Sequence, residues 1–235
     1  MPTIALPSAI HVALLITAAL TPVAALAQPS PEPAESTLPT PPVDREALLK
    51  RLQQGGLILL IRHERTELPS RPDDYTRAPE ECRAQRNLSL AGVAGSQETG
   101  FVLRMLAIPV GRVITSPMCR SAETARFMFG TGYETDTRLM HHDPDPEGGR
   151  DLEKAVEELR EMLREIAPGE AGTNIALISH GGNIVKVSDL RLSEGEIGVL
   201  ELDESGTATA LGQFMGSDLS VYARRKMMAE SGGDK

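Results

Sequence analysis

Four basic side chains follow three short strand-like runs of this sequence: Arg62, His63 and His180 at the run ends, and Arg120 one turn into the helix predicted after the second run. Guanidinium groups are forked donors that match the oxygens of a phosphate. One imidazole can attack a phosphorus atom while a second donates a hydrogen bond to the surrounding oxygens. The glycine pair 181–182 lets the backbone approach a ligand closely. Together these residue types predict a site that binds and transfers a phosphoryl group.

The three strand-like runs predict the elements that would position these side chains. They cover residues 57–61, 112–115 and 174–179, and each is short enough to be a buried strand. Near-continuous apolar strands are typical of a parallel sheet that is covered on both faces. Ligands bind beyond the carboxyl ends of such strands, so we expect the basic residues to meet there. For the run 57–61 alone, a strand followed by a solvated polar loop is the alternative.

The remaining pattern alternates strands with helices, which predicts an α/β fold with a mostly parallel central sheet. The predicted helices cover residues 44–54, 89–106, 118–129, 151–166 and 219–227. Two further strands, 196–202 and 207–214, are predicted to pair antiparallel around a turn. Residues 67–87 are polar and interrupted by prolines, and they predict a long loop on the ligand-binding side.

The overall charge and composition exclude several classes of partner. The formal net charge is −9, so nucleic acid and anionic lipid are poor partners for the chain. Aromatic residues make up 3% of the chain, which is too few for an aromatic-lined sugar or base platform. The sequence contains no P-loop, no dinucleotide glycine fingerprint and no His-Glu-x-x-His metal motif. An anion site must therefore come from a local concentration of arginine.

The N-terminal residues 1–27 contain no Asp, Glu, Lys or Arg and end in a small-x-small pattern, Ala25-Leu26-Ala27. This pattern predicts a cleaved signal peptide and hence a periplasmic or secreted protein without stable membrane insertion. A retained membrane anchor is the alternative. The proline-rich segment 28–43 predicts an extended linker, followed by one domain at 44–228 and a polar tail at 229–235.

The chain has two cysteines, Cys82 and Cys119. An even number of cysteines in a chain with an export signal predicts a disulfide. The alternative, a Cys119 nucleophile beside Arg120, is disfavoured because no phosphate-binding loop follows Cys119.

Three segments, in this order, resemble the motifs of the histidine phosphatase superfamily, in its small, phosphoglycerate mutase-like branch: Arg62-His63-Glu64-Arg65-Thr66, residues 116–125, and Ser179-His180-Gly181-Gly182. Asn87-Leu88-Ser89 followed by Gly92 also resembles a family segment, at the start of the second helix. The resemblance covers residues 57–182. It implies a three-layer sandwich with a mostly parallel central sheet, of the phosphoglycerate mutase type.

The resemblance also implies a role for each of the four basic residues. His63 would be the nucleophile that becomes a phosphohistidine, and water would then release phosphate from it. Arg62 and Arg120 would clamp the phosphoryl group, and His180 would complete the pocket. No metal or organic cofactor is implied, because the arginines already neutralise the charge of the transferred group.

The sequence departs from the family pattern at two places. Glu64 replaces the usual glycine, and Arg65 stands where an acid is common. A carboxylate beside a phosphate pocket should weaken anion binding unless Arg65 or another cation offsets it. The usual glutamate acid after the Arg138-Leu139 pair is missing, and the candidates nearby are His141, His142, Asp143, Asp145 and Glu147. A metal site built from residues 141–143 is a further, less favoured reading.

The leading functional hypothesis is an exported, metal-independent phosphatase that hydrolyses a phosphomonoester through a phosphohistidine on His63. A degenerate phosphate-binding module without turnover is the alternative, and a phosphoglycerate mutase-type phosphotransferase is a weaker one. The expected partner is a small phosphorylated substrate. An envelope sugar phosphate, a nucleotide and a phosphoprotein are all compatible with the sequence.

Overall fold

The computed structural model describes residues 44–68, 72–140, 152–166 and 172–232 of the chain. The predicted signal peptide, the linker and the general-acid candidates at 141–147 lie outside these residues. Within the described part, six strands form one sheet. None of the helices in these ranges combines the length and apolar composition that crossing a bilayer requires.

The sheet confirms the predicted α/β architecture. Its strands are β1 (Ile58–Arg62), β2 (Val110–Thr115), β3 (Glu134–Thr135), β4 (Asn174–Ser179), β5 (Glu196–Leu202) and β6 (Ala208–Met215). They lie in the order β3-β2-β4-β1-β5-β6. The four strands from β3 to β1 are parallel to one another, β5 is antiparallel to β1, and β6 is antiparallel to β5.

Helices cover both faces of the sheet, which makes three layers. They are α1 (Arg45–Gln54), α2 (Leu90–Met105), α3 (Cys119–Phe129), α4 (Leu152–Ile166), α5 (Gly181–Ser188) and α6 (Gly216–Gly232). Side chains of α1, α2, α3 and α6 form one apolar core with Leu59 and Ile61 of β1. Side chains of α4 and α5 form a second core with Ile58 and Leu60 of the same strand. Because successive strand residues face opposite sides, the continuous apolar run serves both cores.

Local sequence signals account for the ends of two helices. Asp44 begins α1, since its carboxylate accepts hydrogen bonds from the backbone N–H groups of Glu46 and Ala47 at 3.0 and 3.3 Å. Ser89 begins α2, and its Oγ accepts from Gly92 N at 3.1 Å. Gly55 ends α1 with a positive φ of 79°, where a side chain would overlap the backbone of Gly172.

Three elements differ from the predicted set. The helix α5 was not predicted, because its first two residues are glycines of low helix propensity. The strand β3 has two residues, too few for a hydrophobic pattern. The last helix is longer than the predicted 219–227: α6 starts at Gly216, directly after β6.

Candidate active site

The site lies where three of the parallel strands end. Arg62 closes β1, Ser116 follows β2, and His180 follows β4 and precedes α5. The chain remains tied to β4 beyond these ends, because His63 N donates to Ser179 O and Ser116 N donates to Ile178 O, both at 3.0 Å. The structure therefore brings the polar ends of the three predicted runs to one edge of the sheet, as the parallel arrangement requires.

The imidazole of His63 is buried, with 2% of the residue exposed. Its Nδ1 lies 2.9 Å from the carbonyl oxygen of Glu64. A carbonyl can only accept, so Nδ1 carries the proton and Nε2 keeps its lone pair in the neutral ring. Burial and the nearby guanidinium of Arg120 hold the pKa of His63 well below its usual 6.5. The ring is therefore neutral at pH 7 and is poised as a nucleophile at Nε2.

Arg120 lies in the first turn of α3 and is 1% exposed. Its Nη1 donates to Asp73 Oδ1 at 3.0 Å and approaches the carbonyl oxygen of Arg86 at 3.5 Å. Its Nε is buried and has no hydrogen-bond partner among the described residues. Buried donors are normally satisfied, so this N–H is available to an oxygen of a ligand.

Arg62 is arranged in a similar way. Its Nη1 donates to the carbonyl oxygen of Leu192 at 2.9 Å, and its Nη2 lies 3.9 Å from Glu194 Oε1. Gly181 packs on the guanidinium, where a Cβ atom would lie 3.2 Å from Nη1. The Nε of Arg62 is also buried without a partner in the described part of the chain. The site thus offers two buried N–H groups on two guanidiniums.

His180 is buried beside His63. Its Nε2 lies 2.9 Å from Ser116 Oγ and 3.4 Å from Ser121 Oγ. The two imidazole centroids are 5.2 Å apart, and the ring planes meet at 61°. All four residues that the sequence singled out are therefore placed in one region of the molecule.

Arg86 is a further guanidinium of this region that sequence reasoning missed. Its Nη2 lies 3.8 Å from Glu194 Oε1, the same oxygen that Arg62 approaches. Its charge contributes to lowering the pKa of His63. The available signal was its position directly before the segment Asn87-Leu88-Ser89, which resembles a family motif.

Glu64, the unexpected carboxylate of the first motif, is enclosed rather than loose in the pocket. It fits where Gly95 and Gly195 lack side chains: a Cβ atom at Gly95 would overlap Glu64 Oε1, and one at Gly195 would lie 2.6 Å from it. Arg65 Nε lies 3.3 Å from Glu64 Oε2. Burial raises the pKa of Glu64, and Arg65 opposes that rise. Arg65 is therefore the cation that offsets this carboxylate.

The peptide of Glu64 has a second connection to the site. Its N–H donates to Thr124 Oγ1 at 3.0 Å, while its carbonyl accepts from His63 Nδ1. Thr124 belongs to α3, one turn after Arg120. The helix that supplies a guanidinium thus also fixes the peptide that sets the tautomer of His63.

The long loop before α2 is attached to the start of α3. Cys82 and Cys119 form a disulfide, with their Cα atoms 5.6 Å apart, as predicted. Gln85, which is fully buried, accepts a hydrogen bond from Cys119 N at 2.9 Å. The bonded thiol excludes the alternative in which Cys119 is a nucleophile. The described part of the loop therefore borders the site, on the side predicted for it.

Removing the disulfide with a Cys82→Ala/Cys119→Ala double variant is expected to lower the free energy of unfolding. The crosslink joins residues 37 positions apart, and the chain-entropy model gives about 4 kcal/mol for a loop of that size. Urea unfolding with and without reductant measures the loss. Reductant should lower the unfolding midpoint of the wild type and leave the double variant unchanged. An equal midpoint for the oxidised wild type and the double variant would contradict this expectation.

The described residues contain no group of three or more His, Cys, Asp or Glu side chains arranged to hold a metal ion. The hypothetical metal site at 141–143 and all five general-acid candidates lie outside the described residues. Two carboxylates within them do reach the arginines, namely Asp73 on Arg120 and Glu194 beside Arg62 and Arg86.

Solved structures of the histidine phosphatase superfamily are similar to this chain. A protein from Escherichia coli described as a candidate alpha-ribazole-5'-P phosphatase has a TM-score of 0.51 and 17% identity, over 66% of this chain and 94% of its own. YhfR of Bacillus stearothermophilus gives the same TM-score, 0.51, and the same 17% identity over 66% and 94% of the two chains. The protein histidine phosphatase SixA, complexed with tungstate, has a TM-score of 0.49 and 21% identity, over 69% of this chain and 99% of its own.

No protein-family model matches the sequence, and no curated protein matches it. The likeness to the solved structures establishes the fold. The chain has the phosphoglycerate mutase-like fold of the histidine phosphatase superfamily.

Proposed function

We propose that this chain, which has the fold of the histidine phosphatases, is an exported, metal-independent phosphatase that uses His63 as its nucleophile. One observation carries the proposal: a neutral, buried imidazole lies beside two guanidiniums whose buried Nε–H groups have no partner in the described part of the chain. A phosphoryl group supplies the oxygens that two such donors need. It also supplies the electrophile that the Nε2 lone pair can attack.

The reaction would proceed in two transfers. Nε2 of His63 forms a bond to phosphorus while the bond from phosphorus to the ester oxygen breaks, and the departing oxygen takes a proton from solvent water. The ring becomes cationic in this step, and the carbonyl of Glu64 stabilises it through Nδ1–H. Arg62 and Arg120 hold the oxygens of the transferred group, and His180 completes the pocket. Water then attacks phosphorus, releases phosphate and restores neutral His63.

Two features support the proposed export. Residues 1–27 have the composition and the small-x-small end of a signal peptide. The Cys82–Cys119 disulfide is a bond that persists in oxidising compartments. An exported phosphatase would meet small phosphomonoesters such as envelope sugar phosphates. The Escherichia coli protein of similar fold is described as a candidate alpha-ribazole-5'-P phosphatase, and alpha-ribazole-5'-P is a small phosphomonoester.

A phosphate-binding module without turnover is the second candidate. Two departures from the family pattern favour it: Glu64 replaces the usual glycine, and no glutamate follows the Arg138-Leu139 pair. The two candidates differ in turnover, and both require that phosphate binds.

The purified protein is expected to hydrolyse p-nitrophenyl phosphate in the presence of EDTA, because its own arginines neutralise the transferred group. Vanadate and inorganic phosphate should inhibit the reaction competitively. Calorimetry with inorganic phosphate separates the two candidates. Binding without hydrolysis of any ester in a panel of sugar, nucleotide and peptide phosphates would favour the binding module. If the folded protein neither binds phosphate nor hydrolyses any ester, both candidate functions are contradicted.

A further inference from the structure

Asp73 is a carboxylate of the long loop that reaches into the candidate site. Its Oδ1 accepts two hydrogen bonds, from Arg86 N at 2.7 Å and from Arg120 Nη1 at 3.0 Å. Its Oδ2 accepts from Tyr75 at 3.4 Å. The side chain is 9% exposed, against 1% for that of Arg120. One carboxylate oxygen thus joins the backbone of one arginine to the guanidinium of another.

The loop is built so that Asp73 stays in this position. The backbone N–H of Asp74 donates to Ala84 O at 2.8 Å, which closes the loop next to Asp73. Gln85 donates to Pro79 O at 2.9 Å and accepts from Cys119 N, so the far arm of the loop is fixed to α3. The disulfide makes the same connection covalently. Asp73 and Arg120 are therefore held together by connections that do not involve a ligand.

The arrangement leaves one edge of Arg120 available. Asp73 uses Nη1, while the buried Nε–H lacks a partner in the described ranges. The hydrogen bond at Nη1 restricts rotation of the guanidinium, so it favours one direction of Nε–H before a ligand arrives. Preorganised donors bind and stabilise transferred charge better than donors that must first be ordered.

We propose that Asp73 is a positioning residue that orients the guanidinium of Arg120 toward the phosphoryl group and ties it to the backbone of Arg86. This inference rests on the proposed function, since it names what prepares the same site. Asp73 acts through the arginines and takes no part in bond making. Its contribution is geometric, because Arg86 N and Arg120 Nη1 both require an acceptor at the position of Oδ1.

Three replacements of Asp73 separate geometry from charge. Asp73→Ala removes the acceptor and is expected to weaken phosphate binding about 10- to 100-fold, which is the size of a hydrogen bond to a charged group. Asp73→Asn keeps an oxygen at the same position and should restore most of that loss. Asp73→Glu keeps the charge but moves the oxygens by one methylene, and should weaken binding as Asp73→Ala does.

Asp74→Ala is the matched control. Asp74 is the adjacent aspartate of the same loop, and its carboxylate bonds Thr76 rather than an arginine. This variant should bind inorganic phosphate and turn over p-nitrophenyl phosphate as the wild type does. The measurements are the Kd for inorganic phosphate by calorimetry, and kcat and KM separately. The loss in Asp73→Ala should fall on Kd and KM more than on kcat.

Equal phosphate affinity in Asp73→Ala and Asp74→Ala would overturn the inference. Tighter binding by Asp73→Ala would overturn it too, since Asp73 would then be a competing anion. If Asp73→Ala does not fold, an Asp73→Glu variant with wild-type affinity overturns it instead. A wild type that binds phosphate without hydrolysing esters contradicts the proposed phosphatase. The Asp73 variants can still be compared in that case, because calorimetry measures phosphate binding without turnover.

Discussion

A His63→Ala variant is expected to lose at least about 10³-fold in kcat on p-nitrophenyl phosphate, because loss of a covalent nucleophile removes the whole two-step route. The buried ring bonds only its neighbouring carbonyl in the hydrogen bonds described above, and its Nε2 is the atom that would attack. Phosphate binding should survive, since Arg62 and Arg120 remain. Calorimetry with inorganic phosphate, run beside the rate assay, checks both halves of the expectation.

Trapping of the intermediate makes the expectation specific to His63. Acid-labile, base-stable phosphate should appear on the wild type after brief exposure to substrate, and should be absent from His63→Ala. An unchanged unfolding midpoint would show that the variant is folded. A variant that kept the wild-type rate would mean that another residue attacks phosphorus.

The lowered pKa of His63 predicts how kcat/KM of the same reaction depends on pH. Only the neutral ring can attack, and burial together with Arg120 favours the neutral ring down to a pH below the usual 6.5. The acid limb of kcat/KM, which reports the free enzyme, should therefore lie at a lower pH than that of an exposed histidine.

The strands that position this site could be predicted from the sequence, because each is indicated by a local run of residues. A short continuous apolar run such as 57–61 favours a strand that is covered on both faces, and the observed β1 contributes side chains to two cores. Once such strands are parallel, their carboxyl ends must share an edge of the sheet. Arg62, His63 and His180 follow those ends directly, so their meeting required no knowledge of long-range contacts.

The remaining parts depend on contacts between distant segments. Asp73 and Arg86 lie in a loop without periodicity, and their place is set by a disulfide and by Gln85 on α3. The sequence predicts Glu64 to lie beside the pocket, with Arg65 or another cation to offset its charge. The space it fills is provided by Gly95 and Gly195, which are remote from it in the chain, so no local pattern could show where its carboxylate lies.

Arg120→Ala should lose about 10²- to 10³-fold in kcat/KM, the cost of removing one donor that stabilises transferred charge. It should also lower the free energy of unfolding by about 3 to 5 kcal/mol, because Asp73 would remain as a buried carboxylate without its cation. Arg120→Lys is the informative partner variant. Lysine keeps the charge, so stability should largely recover, but it lacks the fork that serves Asp73 and a phosphoryl oxygen together.

Urea unfolding and kcat/KM, measured on both variants, separate these two contributions. The expected pattern is loss of both stability and activity in Arg120→Ala, and loss chiefly of activity in Arg120→Lys. Full activity in Arg120→Lys would contradict the forked contact, since one ammonium group would then suffice. Wild-type stability in Arg120→Ala would mean that Asp73 finds water or another cation. A combined Arg120→Ala/Asp73→Asn variant, which removes both charges, should regain part of the lost stability and none of the activity.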